Sequence, residues 1–129
     1  MAELSDVITF LGTAGARFVV THQFLASGGA WLSLGNTQIL LDPGPGSLVQ
    51  AAKRKLDPSK LEAIILSHKH LDHSGDINIM IEAMTDGGRK KRGAVFTPAD
   101  TLNQEPVILS YLRSYPERVE ILTEGAPTN

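Results

Sequence analysis

Cysteine is absent from the chain, which excludes a disulfide framework and any thiolate site and leaves the redox compartment undetermined. No stretch approaches the roughly 20 consecutive apolar residues that a membrane-spanning helix requires. The amino terminus, Met1-Ala2-Glu3-Leu4-Ser5-Asp6, carries acid rather than base and has no apolar core, so it does not read as a secretory leader. Neither sign of charge is in large excess. At a net charge of −2, nothing in the balance demands nucleic acid or membrane as a partner. Repeats, low-complexity tracts and linkers are missing too. What remains is 129 residues with 42% apolar content, enough for one domain with a real core and too little for two. A single soluble domain over residues 1–129 is expected, with the cytoplasm as its default location.

Histidine is also scarce, and its distribution is the strongest signal in the chain. Three of the four histidines fall within His68-Lys69-His70-Leu71-Asp72-His73. The apolar run Ala63-Ile64-Ile65-Leu66 just before them reads as a buried strand that delivers the cluster to a sheet edge. Imidazole nitrogen and carboxylate oxygen together suit zinc and similar divalent ions, manganese among them. Extended backbone would place His68 and His70 on one side. A turn after Leu71 could then carry Asp72 and His73 toward a second point nearby. The spacing suits two adjacent metals better than one, and two ions about 3.5–4 Å apart can stabilise both oxygens of a hydrolytic displacement. The competing explanation is a solvated, charged loop that happens to be rich in histidine.

The stretch Ser67-His68-Lys69-His70-Leu71-Asp72-His73-Ser74-Gly75-Asp76 resembles the His-x-His-x-Asp-His metal signature of the metallo-β-lactamase superfamily. Two flanking stretches fit as well, Thr9-Phe10-Leu11-Gly12-Thr13-Ala14-Gly15 and Leu40-Leu41-Asp42-Pro43-Gly44. Together they are more similar to the phosphodiesterase and tRNA 3′-end nuclease branch than to the antibiotic-degrading one. The resemblance implies an α/β fold: a mixed sheet with helices on one face, forming the amino-terminal half of an αββα sandwich. It implies that His68, His70, Asp72 and His73 hold one or two metal ions, zinc or manganese. It also gives Asp72 a catalytic part in guiding the attacking water, and sets Asp42 beneath the centre to orient a ligand. The other reading of Asp42 is an ordinary turn aspartate.

The rest of the chain supplies a scaffold. Residues 7–11 read as a strand running into a turn at Gly12 and Gly15, and residues 17–23 as an extended segment ending near His22. His22 could be a strand-end residue or a neighbour of the metal site. Ala30-Trp31-Leu32-Ser33-Leu34 and Thr37-Gln38-Ile39-Leu40-Leu41 flank Gly35-Asn36 and predict a hairpin. A helix is expected over 47–56 with Ser47 as its cap, Leu48, Val49, Ala52 and Leu56 on one face, and Lys53, Arg54 and Lys55 at its negative end. Ile77, Met80, Ile81 and Met84 recur at helical spacing over 76–84 and read as core. Arg89-Lys90-Lys91-Arg92 could grip phosphate or form a solvated loop. A strand over 94–97, a helix over 106–115 and a strand over 119–122 complete the order, and the resemblance implies that the other sheet face is apolar and in need of a cover.

The implied metal centre is only half supplied. In the resembled family a histidine, a bridging aspartate and a further histidine come from later in the chain, whereas here no histidine follows His73 and, past Asp76 at the end of the cluster itself, the later aspartates are Asp86 and Asp100. Two functions are therefore expected. One is a metal-dependent hydrolase acting on phosphodiesters, with nucleic acid as a candidate substrate, incomplete as a single chain. The other is a non-catalytic metal-binding or assembly module. In either case a homodimer or a partner chain is expected to cover the open sheet face.

Overall fold

In the computed structural model of the chain, residues 6–11, 29–67, 71–103 and 106–123 are described. Six strands form one mixed sheet in sequential order: β1 (Val7–Phe10), β2 (Ala30–Leu34), β3 (Thr37–Leu41), β4 (Ala63–Ile65), β5 (Ala94–Pro98) and β6 (Arg118–Leu122). The first three pair antiparallel, and β3 through β6 run parallel. Parallel neighbours need crossovers. These carry helices α1 (Ser47–Lys53), α2 (Leu71–Ser74) and α3 (Ile77–Met84), with single 3₁₀ turns at Pro58–Lys60, Ala99–Thr101 and Ser110–Ser114. Among the described residues no helix is long and apolar enough to cross a membrane.

Cross-strand register sorts the side chains onto two faces. Trp31, Leu40, Ile64, Val95 and Val119 are aligned across the sheet, and the first four are fully buried. Against this row pack Ile77, Met80, Ile81 and Met84, all wholly inaccessible. The 3.6-residue spacing put them on one stripe, and burying each contributes roughly 1.5–3 kcal/mol over leaving it in water. Helices and core thus lie on one side of a mixed sheet, as expected. On the other side the aligned rows are Ile8, Leu32, Ile39, Ala63, Ala94 and Phe10, Ala30, Leu41, Ile65, Phe96. Every one of these positions is apolar, and Ile8 and Phe10 are 58% and 47% exposed.

The 47–56 helix is shorter than predicted, and Ser47 is not its cap. Gly46, at φ 88°, occupies that position, while the buried Ser47 hydroxyl donates to the Gly44 carbonyl at 2.7 Å. At the far end Lys55 turns left-handed (φ 60°), with the Leu56 amide donating to Ala51 O and the Lys55 amide to Ala52 O. That is a Schellman closure, which ends the helix at Lys53.

The helix expected over 106–115 is a correction. Only Ser110–Ser114 coils, as a 3₁₀ turn. The backbone before it finds partners outside any helix. Val107 N and Ile108 N donate to Thr101 O, the Asn78 side chain brackets Val107 O and Leu109 N, and Arg113 donates twice to Ile108 O. With those groups already satisfied, helical hydrogen bonds have nothing to add.

The basic run is a tied loop at the sheet edge where β5 begins, opposite the edge reached by Asp42 and Ser67. Arg89 pairs with Asp86, Lys91 donates to Ser114 O, and Arg92 donates to Met84 O. These contacts favour the solvated-loop reading. Gly12, Gly15, the 17–23 segment and His22 lie outside the described residues.

Candidate metal centre

The site grows from the carboxyl ends of adjacent parallel strands, where open α/β sheets place their ligands. After β3 the chain enters the turn at Asp42, and after β4 it reaches Ser67. The ladder between them extends one step further, with the Asp42 amide donating to Ile65 O at 2.7 Å. Asp42 then turns left-handed (φ 52°), a conformation that aspartate tolerates better than most residues. Its carboxylate points at the start of the histidine cluster.

Asp42 has both oxygens engaged. Oδ1 accepts the Ser67 backbone amide at 2.7 Å, and Oδ2 accepts the Ser67 hydroxyl at 2.7 Å. Oδ2 also lies 3.3 Å from Nδ1 of His73, and both side chains are largely shielded from water. A carboxylate facing Nδ1 favours the tautomer with its proton there and its lone pair on Nε2. The structure thus sets the Asp42 carboxylate against the His73 ring, the contact that the orienting reading requires. Fixing a ligand imidazole through its other nitrogen is the arrangement metal-binding histidines use.

A second contact locks the same segment. Asp76, just past α2, donates its amide to Pro43 O at 2.8 Å, and its Oδ2 accepts the Leu48 amide at 2.9 Å. Leu48 is in the first turn of α1, whose left-handed Gly46 offers no capping side chain. Asp76 therefore caps α1 from 28 residues away. The 42–48 turn and the 71–76 segment are held as one unit.

Gly29 closes the site from the side of β2. At φ +79° it lies so close to β3 that a Cβ there would meet Asp42 O at 2.5 Å and Leu41 O at 2.8 Å. Only glycine fits this approach.

Of the predicted ligands, His73 is placed by the structure on α2 beside Asp42. Asp72 shares that helix, although its side chain lies outside the described residues, as do His68 and His70. Among the described residues no three histidine or carboxylate side chains converge on a point. Sequence reasoning missed the supporting parts played by Ser67, Asp76 and Gly29. Ser67 and Asp76 border the histidine cluster, but their partners are 25 and 28 residues away, and no local pattern reports such pairings.

Residues 37–129 match the family model described as a beta-lactamase superfamily domain. An uncharacterized protein of Methanocaldococcus jannaschii is 34% identical over 122 residues, covering 92% of this chain and 46% of the relative. A ribonuclease Z of Thermococcus sibiricus is 33% identical over 107 residues, covering 83% of this chain and 33% of the relative. The fold is shared with the metallo-beta-lactamase fold protein YhfI of Bacillus subtilis, with a TM-score of 0.64 and 18% identity over 99% of this chain and 49% of that one. It is also shared with the short form of human tRNase Z, with a TM-score of 0.54 and 22% identity over 73% of this chain and 34% of that one. The chain spans between a third and a half of the length of these relatives. Through the match over residues 37–129, the chain belongs to the beta-lactamase superfamily.

Proposed function

We propose that this chain carries the His-x-His-x-Asp-His part of a divalent-metal centre that hydrolyses phosphodiesters, in the manner of a nuclease. The observation that carries the reading is the Asp42–His73 contact. A carboxylate set against Nδ1, and itself anchored by Ser67, has a clear use if Nε2 is a metal ligand. The donor set fits a zinc or manganese ion, since borderline nitrogen and hard oxygen donors are both present.

His68, His70, Asp72 and His73 are the residues that would hold metal. A bound divalent ion supplies Lewis acidity and lowers the pKa of water. The chain's own contribution is orientation. Asp42 fixes the His73 ring, Ser67 fixes Asp42, and Asp76 holds the turn and the ligand segment in register. Asp72 is the group suited to accept a hydrogen bond from the attacking water and to aim it. Phosphodiester chemistry is favoured over other ester substrates because the relatives that match along most of this chain include ribonuclease Z of Thermococcus sibiricus.

The test is turnover of bis(4-nitrophenyl) phosphate by zinc- or manganese-loaded protein, alongside a phosphomonoester and a lactone. Cleavage of the diester that is lost in Asp72→Asn is the expected result. Metal binding with no diester turnover would reassign the chain as a metal-binding module.

A further inference from the structure

The basic run Arg89-Lys90-Lys91-Arg92 and the 3₁₀ turn Ser110–Ser114 belong to no site described above, and they lie against each other. Two contacts join them. The Lys91 ammonium donates to Ser114 O at 3.2 Å, and Gly88 backs so closely onto Tyr115 that a Cβ there would meet the ring at 2.9 Å. Tyr115 in turn packs against the core. The Tyr111 ring stands edge-on to it, with 6.0 Å between centroids, and Tyr111 is 58% exposed. We propose that Tyr111, Lys90 and Lys91 bind single-stranded nucleic acid, the tyrosine stacking an unpaired base and the lysines holding the adjacent phosphates.

Charge is the first argument. Asp86 pairs with Arg89, and Glu62 lies 3.9 Å from Arg92. Those acids are spent on the arginines, which leaves the exposed Lys90 and Lys91. A bond to a neutral carbonyl leaves the Lys91 ammonium its charge and two further N–H donors. The contacts that tie this loop therefore fix its shape without neutralising it, and solvated ammonium groups are what phosphate oxygens meet on a binding surface.

The ring is the second. A tyrosine bared beside cations offers a face on which any base can stack, which is how single strands are held without sequence preference. It sits on a single 3₁₀ turn and not on the amphipathic helix that lies along a bilayer. A nucleic-acid strand therefore fits better than an anionic membrane.

Place is the third. The Leu109 amide donates to Asn78 at the start of α3, and Tyr115 lies beside Gly88 beyond its end. The segment between them follows α3, whose eight residues span about 12 Å and begin directly after Asp76. A strand held at Tyr111 thus needs only a short stretch to reach the metal edge. That such a strand is a substrate rests on the hydrolase reading, whereas its binding does not.

Fluorescence anisotropy of a labelled oligouridylate tests the proposal, with the full chain kept in EDTA so that nothing is cleaved. Binding should weaken as salt rises. Tyr111→Ala should weaken it about 5- to 100-fold, while Tyr111→Phe, which keeps the ring, should bind as wild type does. An abasic oligomer should bind wild type as poorly as oligouridylate binds Tyr111→Ala. Lys90→Ala should make the log–log salt dependence shallower by about 0.7, the value of one phosphate contact on a single strand. Strand binding by a chain that turns over no diester supports the proposal and sinks only the hydrolase reading. No binding at low salt, equal binding by Tyr111→Ala, or a preference for phosphatidylserine vesicles overturns it.

Discussion

Nδ1 of His73 sits 3.3 Å from Oδ2 of Asp42, a residue whose carboxylate also takes both the amide and the hydroxyl of Ser67 at 2.7 Å. The consequence is testable in Asp42→Asn. An amide keeps the shape but offers one acceptor where the carboxylate offers two, so an N–H must face a donor on Ser67 or His73. Zinc affinity should fall about 10–100-fold, and stability should fall by about 1–3 kcal/mol. Titration calorimetry and thermal melts read the two effects. Ser67→Ala should move both in the same direction by less, and unchanged affinity in both variants would deny Asp42 its orienting part.

Asp76 makes a prediction of its own, because it caps a helix it does not belong to. Replacing it with alanine leaves the Leu48 amide without that acceptor and should cost about 1 kcal/mol, the usual value of a lost helix cap. For a domain of this size that lowers the melting temperature by about 3–5 °C. A thermal melt indistinguishable from wild type would mean that water replaces the contact at no cost.

Gly29→Ala should be among the most damaging single changes at the site edge. The added carbon would strike the backbone oxygens of Asp42 and Leu41, which have no rotamer with which to yield, and the φ of +79° is itself unfavourable for alanine. A loss of about 2 kcal/mol or more is expected from chemical denaturation, accompanied by weaker zinc binding through the displaced Asp42. A change below 0.5 kcal/mol, of the order seen at unremarkable surface positions, would contradict the close approach.

Asp57 gives the acid-side prediction. Hydrogen bonds from the hydroxyl and then the amide of Ser59 hold its carboxyl below the ordinary value of 3.8. Because the folded-state value is depressed, the stabilisation is present above the unfolded value and is lost as the pH falls through the folded one. Asp57→Ala should therefore be less stable at pH 7 by about 0.5–1 kcal/mol, the size of a lost cap. The gap between variant and wild type should close as the pH falls below 3.8. A gap constant with pH would show that the carboxylate form is not what caps the turn.

The parts of the fold legible in the sequence are those written in local pattern. Gly35-Asn36 between two apolar runs marked the β2–β3 hairpin, and the spacing of Ile77, Met80, Ile81 and Met84 marked the buried face of α3. The apolar rear face of the sheet followed from the family resemblance, which makes this chain one layer of a two-layer stack. Where partners are distant, local pattern failed. Residues 106–115 read as a helix because the bonds that keep them extended come from Thr101 and Asn78. Ser47 read as a cap because the left-handed turn at Gly46 and the distant acceptor on Asp76 leave no local trace. The contact of Asp42 with His73, 31 positions later in the chain, likewise leaves no local trace.

Zinc binding by the full chain, compared with His73→Ala, tests the central claim most directly. Equilibrium dialysis or calorimetry should show the wild type holding zinc, and His73→Ala losing affinity at least about as much as Asp42→Asn, by 10–100-fold. Wild-type protein that takes up no zinc, or a His73→Ala variant that binds it equally well, would contradict the claim that Asp42 holds this imidazole for a metal.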